Sequence, residues 1–139
     1  MDKKKGKSGP ALENFKLPSN YQLSLDNRWI TMASLIPWSE FEEGYANLFS
    51  AERGAPALSF RVALGTLIIK EKLGTSDRET VEQIKENPYL QYFIGKRYYS
   101  HEAPFDPSML VHFRERIGKD LVNKVNLCTI KKIKEQTED

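Results

Sequence analysis

Apolar residues after residue 30 recur at helical spacing, and capping residues and glycines divide them into short segments. A capping box formed by Ser39 and Glu42 predicts a helix over 40–49. A second helix is predicted over 60–73, and its apolar residues lie on nearly every face, as in a central helix covered on both sides. No stretch alternates strictly between apolar and polar residues, as a half-buried strand would, so we predict an all-α fold.

The second half of the chain carries start and stop signals for four more helices. Ser76 and Glu79 form another capping box, and Asn87-Pro88 and Asp106-Pro107 each place a proline directly after a capping residue. The predicted helices cover 77–86, 88–94, 107–117 and 120–136. Together, these signals predict a compact bundle of about five or six short helices.

Residues 76–117 predict three short helices joined by a tight turn and a positively charged loop, which is typical of a helix-turn-helix or a related motif. On a helical wheel, the 107–117 helix has one apolar stripe and a polar opposite face. The stripe consists of Met109, Leu110, Phe113 and Ile117. The opposite face carries Ser108, Val111, His112 and Glu115, with Arg114 and Arg116 at its borders.

This polar face makes the 107–117 helix a candidate for contact with nucleic acid. The first residues, Asp106 to Ser108, are predicted to leave backbone N–H groups free for a phosphate. The candidate DNA-binding residues are Lys96, Arg97, Ser108, His112, Arg114, Arg116 and Lys119. The structural alternative is that the two arginines are solvated or pair with Glu102 and Glu115. The 88–94 helix competes for the same role, but its aromatic residues favour a core position.

The charge of the chain is uneven. It has 21 Lys and Arg against 19 Asp and Glu, and four lysines lie within the first ten residues. We predict a disordered basic tail over 1–27, while the remainder beyond residue 10 is close to neutral and does not by itself indicate nucleic-acid binding. The single cysteine, Cys128, excludes an intramolecular disulfide. No apolar run is long enough to span a membrane, so we expect a cytoplasmic protein.

Four blocks of residues, in a fixed order, resemble a known family. They are Ile36-Pro37-Trp38, Ser76-Asp77-Arg78-Glu79, the run from Glu86 to Gly95, and Ala103 to Ser108 followed by Phe113 to Ile117. Over about residues 28–118 the chain resembles the N-terminal domain of bacterial insertion-sequence transposases of the IS-five-like group.

The resemblance implies a helical domain, residues 28–119, that recognises the terminal inverted repeats of an element in double-stranded DNA. It therefore also implies association with the bacterial nucleoid. In this family a DDE catalytic domain follows and cuts and joins DNA on metal ions. The chain stops at Asp139, so we expect 120–139 to be a helix leading into a linker, and the catalytic domain to be absent. The expectation is thus a truncated transposase with no enzymatic activity of its own, and with Mg²⁺ needed only by the missing domain.

Other chemistry is weakly indicated. The Asp and Glu residues lie at predicted helix caps and on predicted helix surfaces, where they have structural roles. His101 and His112 lack a second pair of metal ligands at recognisable spacing. We therefore expect no metal, cofactor or small-molecule substrate. In the leading hypothesis Lys96, Arg97 and Lys119 hold phosphates, while Ser108, His112 and Arg114 lie nearest the base edges. One alternative is an interaction module that forms a homodimer or binds full-length transposase through the apolar faces of the first two helices and the last. Another is an inactive transposase remnant.

Overall fold

The computed structural model describes residues 15–17, 22–42 and 60–137 of the chain. Five helices are bounded within these ranges: α1 (Arg28–Leu35), α2 (Phe60–Leu73), α3 (Asp77–Glu86), α4 (Pro88–Phe93) and α5 (Met109–Thr137). Residues 38–42 are also helical. No strand occurs in the described ranges, which contain one isolated β-bridge, between Lys16 and Tyr98. The prediction of an all-α bundle is therefore confirmed.

Helix α2 is the centre of the bundle and has the bounds that the sequence predicted. Every residue from 63 to 69 is buried, including Gly65 and Thr66. Helices α3 and α5 pack against it, and Ile94 comes so close to Gly65 that an added Cβ would lie 3.2 Å from the Ile94 Cγ2 atom. A helix covered on several sides needs apolar or small residues on all of them, which explains its all-round apolar pattern.

Helix α1, which was not among the predicted helices, packs against α4 and α5. The Asn27 side chain accepts a hydrogen bond of 2.7 Å from the Trp29 amide and so caps the helix. The Trp29 and Trp38 rings contact the Phe93 ring edge to face, with centroids 5.1 and 5.4 Å apart. Phe93 is completely buried, so this aromatic cluster holds α4 and the region around α1 together.

The predicted helix starts in the middle of the chain are confirmed by their capping bonds. The Ser76 hydroxyl accepts from the Glu79 amide at 3.1 Å, and the Asn87 side chain accepts from the Tyr89 amide at 2.8 Å. Asn87 also ends α3, so this one residue forms the whole turn between α3 and α4.

Helix α5 covers two helices that the sequence predicted as separate, over 107–117 and 120–136. Gly118 has φ 80° and ψ 156°, a conformation open almost only to glycine, and the helix continues on either side of it. We call residues 109–117 the first arm of α5 and residues 119–137 the second arm. Val122 and Val125 of the second arm are buried in the same core as Phe113 of the first arm. The predicted domain boundary after Lys119 thus falls inside one packed unit, and the assignment of the end of the chain to a linker stays a prediction.

The structure differs from the prediction of a disordered tail at residues 15–17. Phe15 is buried, and its ring meets that of Tyr92 edge to face at 5.9 Å. Two backbone hydrogen bonds of 2.8 Å, from the Lys16 amide to the Arg97 carbonyl and from the Tyr99 amide to the Lys16 carbonyl, fix the segment. Residues 1–27 are mostly polar, and this pattern gives no sign that one aromatic residue, Phe15, is buried against the helices. Most of the predicted 40–49 helix lies outside the described residues.

Replacing Gly118 with alanine is expected to destabilise the fold by about 1–3 kcal/mol, because alanine is strained at this backbone conformation. The added Cβ would meet no atom within 4 Å, so the loss comes from the backbone and not from a clash. Urea unfolding followed by circular dichroism measures the effect. The neighbouring exposed Lys119→Ala variant is the control, with an expected change below about 0.5 kcal/mol. A Gly118→Ala protein as stable as the wild type would show that α5 tolerates an unbroken helix here.

Candidate nucleic-acid interface

The first arm of α5 is buried along the predicted stripe. Leu110, Phe113 and Ile117 lie in the core, and the Phe113 ring meets that of Phe105 edge to face at 5.3 Å. The opposite side is exposed and carries Val111, His112, Arg114 and Glu115. The sequence therefore predicted the orientation of this helix correctly, because burial of its apolar stripe in the core leaves the opposite side exposed to solvent.

The N-terminus of this arm is closed by its own residues. The Asp106 carboxylate accepts from the Ser108 amide at 2.9 Å and from the Ser108 hydroxyl at 2.6 Å, and these bonds lower the pKa of Asp106. The next three amides, of residues 109–111, donate to carbonyls three residues earlier. The expectation that this helix start offers backbone N–H groups to a phosphate is wrong, since Pro107 has none and the amides of residues 108–111 are bonded.

Arg114 is held by an acid from another helix. Its Nη1 and Nη2 atoms donate to the two carboxylate oxygens of Asp77, at 2.8 and 3.2 Å, and Lys70 Nζ lies 3.6 Å from the same carboxylate. The Arg114 side chain is still 45% exposed. Hydrogen bonding from Arg114 is the main cause of the lowered pKa of Asp77. The alternative that Arg114 forms an ion pair within the protein was therefore correct, but its partner is Asp77 of α3 and not Glu102 or Glu115.

The remaining predicted residues on α5 differ in exposure. His112 Nδ1 lies 4.0 Å from a Glu115 carboxylate oxygen, with the imidazole 58% exposed. Arg116 is half-buried, whereas Lys119 is exposed. Lys119 lines a groove of about 870 Å³ together with Arg114, Lys70 and Glu71, among other residues, and we call it the Arg114 groove.

Lys96 and Arg97 lie in a different place, around a groove of about 640 Å³ that Lys16 and Arg61 also line. We call this the basic groove. No carboxylate of the described residues lines it. Neither Ser108 nor His112 is among the described residues that line either groove. The structure therefore divides the predicted site into a basic groove, the Arg114 groove and the exposed face of the first arm.

Arg61 forms the fixed wall of the basic groove. Its Nε atom donates to the Phe93 carbonyl at 3.0 Å and its Nη2 atom to the Tyr92 carbonyl at 3.2 Å, so it caps the end of α4. The guanidinium also lies 4.6 Å from the centre of the Trp38 ring. Burial lowers the pKa of Arg61. Arg61 and Lys16 were not among the predicted site residues, since both lie far along the chain from Lys96 and no short motif links them.

The loop that carries Lys96 and Arg97 is fastened by the buried side chain of Gln91. The Gln91 Nε2 atom donates to the Ile84 and Ser100 carbonyls at 3.0 and 2.9 Å, and its Oε1 atom accepts from the Ser100 amide at 3.0 Å. Because the Gln91 side chain is fully buried, each hydrogen bond that it makes is costly to lose. Gln91 thus links the end of α3 to the loop after α4 by hydrogen bonds and fixes the position of that loop.

Comparison with known proteins gives two matches. Residues 18–116 match the model of the family described as Transposase domain (DUF772). A Rhizobium meliloti protein described as uncharacterized protein ORF8 in nfe locus is 38% identical over 89 residues, which is 64% of this chain and 42% of the relative. The chain therefore spans less than half the length of this curated relative. No solved structure matches the chain.

The described part of the chain contains no group of three or more His, Cys, Asp or Glu side chains placed to hold a metal ion. None of its helices is long and apolar enough to cross a membrane.

The ion pair between Asp77 and Arg114 predicts a pH-dependent contribution to stability. The pKa of Asp77 is lowered in the folded state, so the pair stabilises the fold above about pH 4, the ordinary range of an aspartate, and this contribution is lost as the pH falls through the lower folded value. Asp77→Asn is expected to cost about 0.5–1 kcal/mol at pH 7, because the pair is solvent-exposed, and nothing at pH 2.

Urea unfolding at both pH values measures this difference, with Asp26→Asn in an exposed turn as the control. A cost of Asp77→Asn that stays the same at pH 2 would contradict a role for the charged pair.

Proposed function

This chain belongs to the Transposase domain (DUF772) family and is related to insertion-sequence transposases, and on that premise we propose that it is a domain that binds the terminal inverted repeats of its element. Its partner is double-stranded DNA. In this proposal, strand cutting and joining belong to a DDE catalytic domain with Mg²⁺, and this chain contributes recognition alone.

The observation that carries the proposal is the exposed face of the first arm of α5. A helix anchored on one side by Leu110, Phe113 and Ile117 presents its other side rigidly to a partner. The major groove of B-DNA, about 12 Å wide, admits one helix. His112 and Glu115 offer hydrogen-bonding groups to base edges, and Val111 offers an apolar surface to a thymine methyl group.

Cations precede and follow this arm in the chain. Lys96 and Arg97, on the loop before it, line the basic groove, and Lys119, just after it, lines the Arg114 groove together with Arg114. Contacts from such cations to phosphates position a domain on the duplex but carry no sequence information. We therefore assign affinity to the flanking cations and sequence preference to the face of the helix.

Arg114 has a particular role in this proposal because its donors are already on Asp77. To bind a guanine through the same edge, with Nη1 and Nη2 as the two donors, its guanidinium has to leave the Asp77 carboxylate. Asp77 is then a competitor of the DNA as well as a partner of Arg114. This gives Arg114 and Asp77 opposite expected effects on DNA binding, although both substitutions remove the same ion pair.

Fluorescence anisotropy with two labelled duplexes tests the proposal, one duplex from the ends of the element and one with shuffled sequence. Wild-type protein is expected to prefer the element ends by about tenfold or more, with affinity falling as salt rises. Arg114→Ala is expected to lose about 1–3 kcal/mol on the element ends and less on the shuffled duplex. Asp77→Asn is expected to bind the element ends more tightly than wild type.

The pair of variants separates recognition from stability. If Arg114 serves only the fold, both variants lose the same stability and bind DNA alike. Equal binding of wild-type protein to both duplexes would overturn the proposal as a whole.

A second candidate function, self-association, is favoured by the second arm of α5. Leu127, Ile130 and Ile133 are all exposed there, Leu127 by 67%, and they recur every third residue. Apolar residues at such spacing allow two helices to pack side by side, so a second copy of this chain is the proposed occupant. Most apolar residues of α2, which the sequence also offered for an interface, are buried in the core.

Leu127→Asp is expected to weaken a dimer by at least about tenfold, because a carboxylate in its apolar centre loses hydration. Sedimentation equilibrium over a range of protein concentrations measures this effect. Val111→Asp, which changes an exposed apolar residue outside the second arm, is the matched control and should leave the dimer intact. A wild-type protein that stays monomeric at high concentration would contradict self-association.

A further inference from the structure

Four cationic side chains from three separate parts of the chain meet at the basic groove. Lys16 comes from the N-terminal segment, Arg61 from the first turn of α2, and Lys96 and Arg97 from the loop after α4. Like charges repel one another, so bringing them together is unfavourable unless an anion compensates them. The described residues provide no carboxylate in the lining.

The backbone fixes the two most exposed of these cations side by side. The Lys16 amide donates to the Arg97 carbonyl at 2.8 Å, and the buried Phe15 ring anchors the segment against Tyr92. Only the backbone of Lys16 and Arg97 takes part in the bridge, and both residues are exposed. Their side chains are therefore available to a ligand without any change in the fold.

Arg61 and Lys96 form the less mobile part of the groove. Arg61 is held by two backbone carbonyls and by the Trp38 ring. Lys96 Nζ lies 5.8 Å from the centre of the Tyr98 ring, and burial lowers the pKa of Lys96, an effect that the charge of Glu102 opposes. A fixed guanidinium beside a partly desolvated ammonium group is suited to an anion with several acceptor oxygens.

We propose that the basic groove is a phosphate-binding site and that, in the DNA complex, it holds a phosphodiester group of the backbone next to the duplex segment read by α5. For the source of the phosphate, this inference rests on the proposed function. The same chemistry would accept a free phosphate or pyrophosphate, and the two sources are separated below. The site adds Lys16 and Arg61 to the residues expected to contact DNA.

Lys16→Ala and Arg97→Ala test the proposal in the full chain, in anisotropy titrations of the element-end and shuffled duplexes over a salt series. Each variant is expected to weaken binding to both duplexes by the same factor and to reduce the slope of log affinity against log salt by about one. Lys72→Ala is the control, since it removes the same charge from an exposed position on α2, roughly 16 Å along the helix from Arg61.

The outcomes distinguish this inference from the proposed function. If wild-type protein prefers the element ends but Lys16→Ala and Arg97→Ala behave like Lys72→Ala, the groove does not hold phosphate and the proposed function stands. If wild-type protein binds neither duplex, the proposed function fails, and pyrophosphate titration by NMR decides the matter. Saturable shifts of the amides of residues 95–98, lost in Arg97→Ala, would identify a site for free phosphate. No shifts would overturn the inference.

Discussion

The carbonyl groups at the end of α4 need hydrogen-bond donors from within the protein, and much of the structure depends on which groups donate to them. Arg61 of α2 donates to the carbonyls of Tyr92 and Phe93, while the Lys96 amide donates to that of Gln91. An unsatisfied buried carbonyl costs about 1–3 kcal/mol, so these bonds fix α4 on α2. The same guanidinium forms one wall of the basic groove, and the Gln91 side chain sets the path of the loop that forms another. Core packing and the candidate phosphate site thus share their central residues.

Acidic residues set a second constraint, because they hold the groups that a DNA duplex would approach. Asp106 occupies the amide and hydroxyl of Ser108, and Asp77 occupies the guanidinium of Arg114. Both carboxylates stabilise the free protein, and a ligand must compete with at least the second of them. Under the proposed function, a duplex that supplies two acceptors to Arg114 would replace Asp77 and a mismatched duplex would not, so the ion pair would increase sequence discrimination at the expense of affinity.

Much of the fold followed from the sequence because local signals dominate it. The serine and asparagine caps, the glycine after α2 and the apolar stripe of 107–117 act within a few residues, and these elements lie where they were predicted. The interruption between the predicted helices 107–117 and 120–136 is real, but the packing of the second arm on the core makes Gly118 a kink and not a helix end. The basic groove could not be predicted, since it depends on the bridge between Lys16 and the loop near Tyr98, far apart in the chain. Nor does any local pattern show that Asp77 reaches Arg114, because helix packing brings them together.

The central claim is that one duplex contacts the basic groove and the exposed face of the first arm of α5 at the same time. Amide chemical-shift mapping of the isotope-labelled chain with the element-end duplex tests it most directly. We expect the largest shifts at Lys16, at 96–98 and at 109–116, with smaller shifts along the second arm of α5. Shifts confined to the lysine-rich first residues, or equal shifts with a shuffled duplex, would contradict the account.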